Sequence, residues 1–375
     1  MRATLVKLWP LFFSVVLIQL AVGVQSDLIG VRASLEHFPA WTIGPVLAGN
    51  YVGYSTAPFF GRQIIARFGH GVAIAVASVI AGLAVLALGV LVAPLAWVLL
   101  RVVIGFGLSL GYIGYESWIN DHVENDIRGR VFSTYTLVQL IAMTGSQSLY
   151  AAIDPATIWL FVISAALLAA GAVPVFLSMA HAHDKPPPEH LPLKNLFRAS
   201  PLGAIATIVA GISWTIIVAF GPIYALKTGL TQSQTGLFMG AAMLGGLLLQ
   251  FPIGWVSDHV GRRATIALMS LGAIVASLFG LWAERHGALA LYATMLALGG
   301  LNFTLYAITV SATNDAVAPA NRIAAAAGLV LLFGLGSIAG PLIGGWAFAR
   351  FGAETYFALI GASMAISLAA AVVTD

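Results

Sequence analysis

Residues 72–92 read VAIAVASVIAGLAVLALGVLV, which is 21 positions without one charged side chain. A helix needs about 20 apolar residues to cross about 30 Å of hydrocarbon, so this stretch alone can span a bilayer. Eleven more stretches qualify. Together the twelve cover residues 8–30, 41–66, 72–92, 95–120, 131–151, 157–180, 203–226, 232–256, 264–284, 288–312, 323–348 and 354–373. Sixty per cent of the 375 residues are hydrophobic and 8% are charged, against roughly 25% charged in a soluble protein. The charges are too few to coat a water-soluble globule. In lipid every backbone N–H and C=O must be paired within the protein, which leaves helices or closed barrels. Barrel strands are short and alternate in polarity, whereas these runs are long and continuous. The expectation is an all-α integral membrane protein.

The chain contains no cysteine, which excludes disulfides, thiolate metal sites and cysteine nucleophiles. Residues 1–26 resemble a cleavable leader, with Arg2 and Lys7 ahead of an apolar core. The apolar run, however, continues towards Gly30, and cleavage would leave an odd eleven helices. Twelve helices put both termini on one side. Of the 17 basic residues, Arg32, Lys227, Arg285 and Arg350 fall on the opposite side and Arg101 within a span. All the others share the side of the termini, the asymmetry expected of a cytoplasmic face. It accounts for the net charge of +3 without a nucleic-acid partner.

The longest polar stretch, 181–200, contains Pro186-Pro187-Pro188 and reads as a semi-rigid linker. It divides the chain into an N-terminal six-helix bundle at 1–180 and a C-terminal one at 201–375. The two repeat each other. A shift of 192 places Gly44 on Gly236, Gly53 on Gly245 and Gly69 on Gly261. A shift of 194 places Gly105 on Gly299, Tyr112 on Tyr306, Asn120 on Asn314, Asp121 on Asp315 and Arg128 on Arg322. Duplicated halves about a midplane site are the architecture of alternating access.

Gly254-x3-Asp258-x2-Gly261-Arg262-Arg263 resembles the loop signature of the major facilitator superfamily, and the resemblance extends over nearly the whole chain. Physically, Gly254 suits close helix packing and Gly261 a tight turn. Asp258 can meet an arginine, and Arg262 and Arg263 can hold a neighbouring helix end. The resemblance implies a cytoplasmic gate, joined by Asp121, Arg128, Asp315, Arg322 and Arg67. In the first half the aspartate position is Ala66 and the leading glycine position is Arg62, so only one full latch is expected. Arg101-x3-Gly105-x-Gly107 resembles the family's fourth-helix arginine motif. Gly336-x3-Gly340-Pro341-x2-Gly344-Gly345 resembles its antiporter motif, here on the eleventh span, with close packing as the alternative reading. Phe220-to-Tyr224, Gly245-to-Gly254 and Glu116-to-Asn120 resemble a bacterial branch of transporters mostly without an assigned substrate.

Charge at mid-membrane needs water, a partner or a function. Arg101 and Glu116 lie well within the fourth span, about 22 Å apart at 1.5 Å per residue, so they cannot pair. Glu116 is the first candidate for carrying a coupled proton, with Arg101 tuning the site or binding an anion. The alternative is a fixed gate in which Glu116 pairs Arg67 or Arg130. Asp27 is a second candidate acid, expected near the outer end and in contact with solvent. Gln19, Asn50, Tyr54, Tyr112, Gln139, Gln147, Trp214, Gln250, Asn302 and Tyr306 are candidate cavity residues. They suit a small polar or amphipathic organic solute. Met239-x3-Met243 offers two thioethers for a soft ion such as Cu(I), an alternative in which the protein imports copper or a metabolite. Met in packed helices is otherwise a gap filler.

No Walker sequence, His-rich cluster or His-Glu-x-x-His motif is present. The expected protein is therefore a secondary transporter rather than an enzyme or an ATP-driven pump. It is expected to need no cofactor and to act as a monomer in the bacterial inner membrane. Arg101 and the span-eleven motif point towards proton-coupled efflux.

Overall fold

The computed structural model describes residues 8–123, 125–178, 193–318 and 321–374. Among these, six long helices come first: α1 (Trp9–Leu35), α2 (Ala40–Phe68), α3 (His70–Val90), α4 (Pro94–His122), α5 (Asn125–Ala152) and α6 (Trp159–Ser178). A short α7 (Leu193–Ala199) leads into α8 (Pro201–Lys227), α9 (Gln232–Val260) and α10 (Arg262–Ala283). There follow α11 (Ala288–Phe303), α12 (Leu305–Ala316), α13 (Arg322–Phe351) and α14 (Thr355–Val373). Each expected span is found as a helix, and α11 with α12 makes the tenth, interrupted at Thr304. The Thr304 hydroxyl donates to the Gly300 carbonyl at 2.6 Å, a local bond that competes with the helical ladder.

Ten of the spans have a mean hydropathy between 1.5 and 2.6. Side chains such as Leu83, Leu95, Phe251 and Leu289 stand 64–83% exposed. A protein surrounded by water does not present so many large apolar side chains; lipid is their solvent. Trp9, Trp41, Trp159 and Trp346, at or near helix ends, are also exposed, as in the aromatic belts of membrane interfaces.

The chain divides into two compact units, Met1–Phe38 with Gly49–Pro187 and Pro39–Ala48 with Pro188–Asp375. In the first, α1 packs on α5 and α6, and α3 on α4 and α6. In the second, α8 packs on α13 and α14, α9 on α11, and α10 on α14.

Matched glycines hold matched crossings. A Cβ on Gly53 would stand 1.9 Å from the Val102 carbonyl oxygen, and one on Gly105 1.8 Å from that of Asn50. In the second unit a Cβ on Gly245 would stand 1.9 Å from the Leu296 oxygen, and one on Gly299 1.9 Å from that of Ala242. Val102 and Leu296 are 194 residues apart, the same shift as Gly105 and Gly299 on their helices, and Asn50 and Ala242 are 192 apart, the same shift as Gly53 and Gly245. Backbones meet at these points, so only glycine fits. The span-eleven glycines act similarly: Cβ atoms on Gly336 and Gly340 would stand 2.1 Å from the Ile208 carbonyl oxygen and from Thr215 Oγ1 of α8. Close packing is what they do here. Gly254 corrects an expectation, because a Cβ there meets nothing within 4 Å; this glycine is not a packing point.

Candidate functional site

Asp27 sits inside α1, two turns before its end, and is 1% exposed. This corrects its placement in solvent. α1 runs on to Leu35, and the extra turns carry Asp27 below the surface against α5. Gln147 of α5, 5% exposed, faces it, and Tyr150 lies within electrostatic reach. Neither carboxylate oxygen of Asp27 and neither polar atom of the Gln147 amide is in hydrogen-bond geometry with any described group. The nearest cation along α1, Arg32, is committed elsewhere. It pairs with Glu36 at 2.5 Å and donates to the carbonyls of Pro155, Ala156 and Thr157. Gln147 is thus assigned to the α1–α5 seam.

A second polar group gathers lower on α1 and α4. The Tyr112 hydroxyl donates to Gln19 Oε1 at 2.5 Å, and the Tyr54 and Tyr112 rings are 6.1 Å apart. Tyr135 of α5 lies within electrostatic reach of Glu116, Tyr112, Tyr54 and Tyr115. Ser14 links Tyr115, at 2.6 Å, to the Gly171 carbonyl at 2.5 Å. Glu116 itself is exposed and has an interaction partner. Gln139 of α5 is half-buried. Arg101, 6% exposed, makes no hydrogen bond or ion pair with a described residue; its Nε is buried beside Tyr51, and the Asn50 Oδ1 is likewise without a partner.

The second unit carries aromatic and amide side chains around the interruption at Thr304. The rings of Trp214 and Phe303 are 4.2 Å apart, next to the interruption at Thr304. Asn302 donates to the Leu298 carbonyl at 2.8 Å and leaves its Oδ1 without a partner. Tyr306 packs on Phe333 at 5.0 Å. Gln250 is exposed. Met239 and Met243 are fully buried, and the Met239 sulfur sits in the notch at Gly221. They fill the core between α8 and α9.

The α9–α10 turn is a built latch. Gly261 adopts φ +93°, in the region that favours glycine. Arg262 donates to Asp258 at 2.6 Å, to Ser257 at 2.9 Å and to Asp315 at 3.2 Å. Arg263 donates to the carbonyls of Ala371 and Val372 at 2.7 and 3.0 Å, closing the end of α14. Arg322 donates to the Asn314 carbonyl at 3.1 Å. The second Asn-Asp-x6-Arg copy thereby joins the loop signature. In the first copy the side chains of Asp121 and Arg128 lie outside the described residues. Arg67 is exposed and stacks over Phe68.

Sequence reasoning missed Gln25, 2% exposed with both amide atoms unpartnered, and the buried phenols Tyr115, Tyr135 and Tyr150. The signal for Gln25 was present: Gln25 and Asp27 are polar residues inside an apolar run.

Among the described residues, twelve helical spans, one of them interrupted at Thr304, with glycine crossings in both units and buried charges inside them, define a multi-spanning membrane protein. Residues 203–375, a little under half of the chain, match the profile of the Major Facilitator Superfamily. It is 24% identical over 333 residues to the "Uncharacterized MFS-type transporter YcaD" of Escherichia fergusonii, covering 88% of this chain and 86% of that one. The YcaD protein of Escherichia coli is 24% identical over 336 residues, with the same shares. Among solved structures, the nucleoside transporter NupG superposes with a TM-score of 0.82 at 16% identity, covering 97% of this chain and 98% of that one. A D-xylose-proton symporter superposes at 0.76 with 14% identity, covering 98% and 97%. These likenesses show the fold. The protein is a multi-pass membrane protein and a secondary transporter.

Proposed function

We propose that the protein exports a small polar or amphipathic organic solute in exchange for protons, by alternating access, from a bacterial inner membrane with both termini in the cytoplasm. The observation that carries the coupling is Asp27: a 1% exposed carboxylate that, among the described residues, has neither oxygen bonded and no ion-pair partner. An ionised carboxylate cannot stay so placed without a partner. It must bind a proton or reach water, and a transporter that alternates between those conditions moves a proton. Glu116, expected first for this role, is exposed and fits a gate better. Arg101, buried without a hydrogen-bond partner, suits an anionic or strongly polarised group on the solute.

The solute class rests on uncharged hydrogen-bonders beside aromatic rings, at Gln19, Tyr54 and Tyr112 and at Trp214, Asn302 and Phe303. The fold neighbours, by name a nucleoside transporter and a xylose-proton symporter, do not single out one solute. The buried packing of Met239 and Met243 disfavours the copper alternative.

The test has two stages. A thermal-shift screen of purified protein against nucleosides, sugars, organic cations and Cu(I) identifies a ligand. In proteoliposomes, Asp27→Asn should then retain solute exchange at equal concentrations and lose accumulation driven by a pH gradient. Full uphill transport by Asp27→Asn would falsify the assignment, and selective stabilisation by Cu(I) would replace the organic solute.

A further inference from the structure

We infer that Gln147 is the positioning partner that reads the charge on Asp27: the protonated carboxyl and the Gln147 amide close into a two-bond pair that latches α1 onto α5, and ionisation opens that seam. This deepens the reading above and rests on it.

The two helices are in close contact one turn away. A Cβ on Gly23 would stand 1.9 Å from Ser146 Oγ. Asp27 lies one turn beyond Gly23, and Tyr150 one turn beyond Ser146. Gln147, next to Ser146, is held in the same seam. The buried groups here are Asp27 Oδ1 and Oδ2 and Gln147 Oε1 and Nε2, and none of the four is satisfied.

Their chemistry is unbalanced by one donor. An ionised carboxylate only accepts, and the amide has two N–H donors and one acceptor. With Asp27 ionised, the carboxylate offers Oε1 no donor. One proton on the carboxyl changes that. Its O–H donates to Oε1, and Nε2–H donates to the other carboxyl oxygen, so all four atoms are satisfied at once. The proton comes from water on one side of the membrane and returns to water on the other; no other reactant is needed. Once it leaves, a buried carboxylate remains, which is strongly unfavourable. α1 must then part from α5 far enough to admit water.

The surroundings leave the pair alone. α1 packs against α5 and α6. α6 carries no titratable residue. α5 contributes the Tyr150 phenol, and on α1 itself Arg32 is held by Glu36 and three carbonyls.

Infrared spectroscopy of the purified full-length protein, titrated with protons alone, tests the pair without a known solute. A protonated carboxyl C=O band should disappear as pH rises and be missing from Asp27→Asn. In Gln147→Leu, or Gln147→Met if Leu does not fold, the band should move to the higher frequency of an unbonded carboxyl. Backbone hydrogen exchange of α1 and α5, corrected for intrinsic rate, should rise severalfold with pH in the wild type. It should stay low throughout in Asp27→Asn, whose amide mimics the paired acid, and stay high in Gln147→Leu. An Asp27 band that Gln147→Leu leaves in place overturns the pair. Na+ added at fixed pH that removes the band also overturns it, in favour of a metal cation. Neither result touches the transport test, which fails only if Asp27→Asn still accumulates solute.

Discussion

Gly105 meets the carbonyl oxygen of Asn50 so closely that a Cβ would stand 1.8 Å away, and Gly299 repeats the contact with Ala242 at 1.9 Å. In each case the neighbour is backbone inside a helix and cannot swing aside. Gly105→Ala and Gly299→Ala should therefore each destabilise the protein by about 3 kcal/mol, the upper end of overpacking costs. Gly254→Ala should be neutral or stabilising by up to about 1 kcal/mol, because its Cβ meets nothing and alanine favours the helix. Thermal unfolding in detergent ranks the three. Equal losses at all of them would mean the crossings are not the cause.

The latch makes a different prediction. Arg262 is about a quarter exposed, and its partners Asp258 and Asp315 are more than half exposed. Exposed ion pairs contribute about 0–1 kcal/mol. Asp315→Asn should thus leave the melting temperature nearly unchanged. If the proposed gate reading holds, its effect falls on the balance between transport states and should appear as altered protease access to the α9–α10 turn. Arg262→Ala removes three acceptor contacts and should change that access more. A large fall in thermal stability for Asp315→Asn would make the bridge structural instead.

Glu284 lies just beyond α10. Partial burial, then the neighbouring Glu354 carboxylate, raise it above the usual carboxylate range, with Arg285 pulling the other way. The native state therefore holds this proton more tightly than the unfolded chain does. By linkage, stability is greatest below the unfolded value of 4.5 and falls as pH rises through the raised native value. Glu284→Gln should flatten that part of the stability–pH curve and leave the rest unchanged. A curve identical to wild type between pH 4 and neutrality would remove Glu284 from the account.

The parts of this protein visible in its sequence are those with local causes. A bilayer-length apolar run such as 72–92 has one outcome in lipid. The glycine repeat was legible because backbone contact admits one residue type, so Gly53 and Gly245 match through their partners Val102 and Leu296 as well. The Asp258–Arg262 pair was legible because the two stand four residues apart across one tight turn. Asp27 was not. Its burial depends on α5, more than a hundred residues away, and periodicity does not name the helix that a face meets. Gly254 misled for the same reason: its place in a signature does not say whether a neighbour stands opposite.

The Ser14–Tyr115–Gly171 chain ties α1, α4 and α6 together at the fully buried Tyr115. Removing one hydroxyl here should separate its two bonds. In Tyr115→Phe, Ser14 still donates to the Gly171 carbonyl, so no buried group loses its only partner and the loss should be about 1 kcal/mol. In Ser14→Ala, both the Tyr115 hydroxyl and the Gly171 carbonyl lose a bond in a dry interior, and the loss should be larger, about 2–3 kcal/mol. The double variant should cost less than the two losses added together, because the Tyr115 hydroxyl stranded by Ser14→Ala is then gone. Unfolding midpoints of the four proteins in one detergent close the cycle. Strict additivity would show that Ser14 and Tyr115 do not interact.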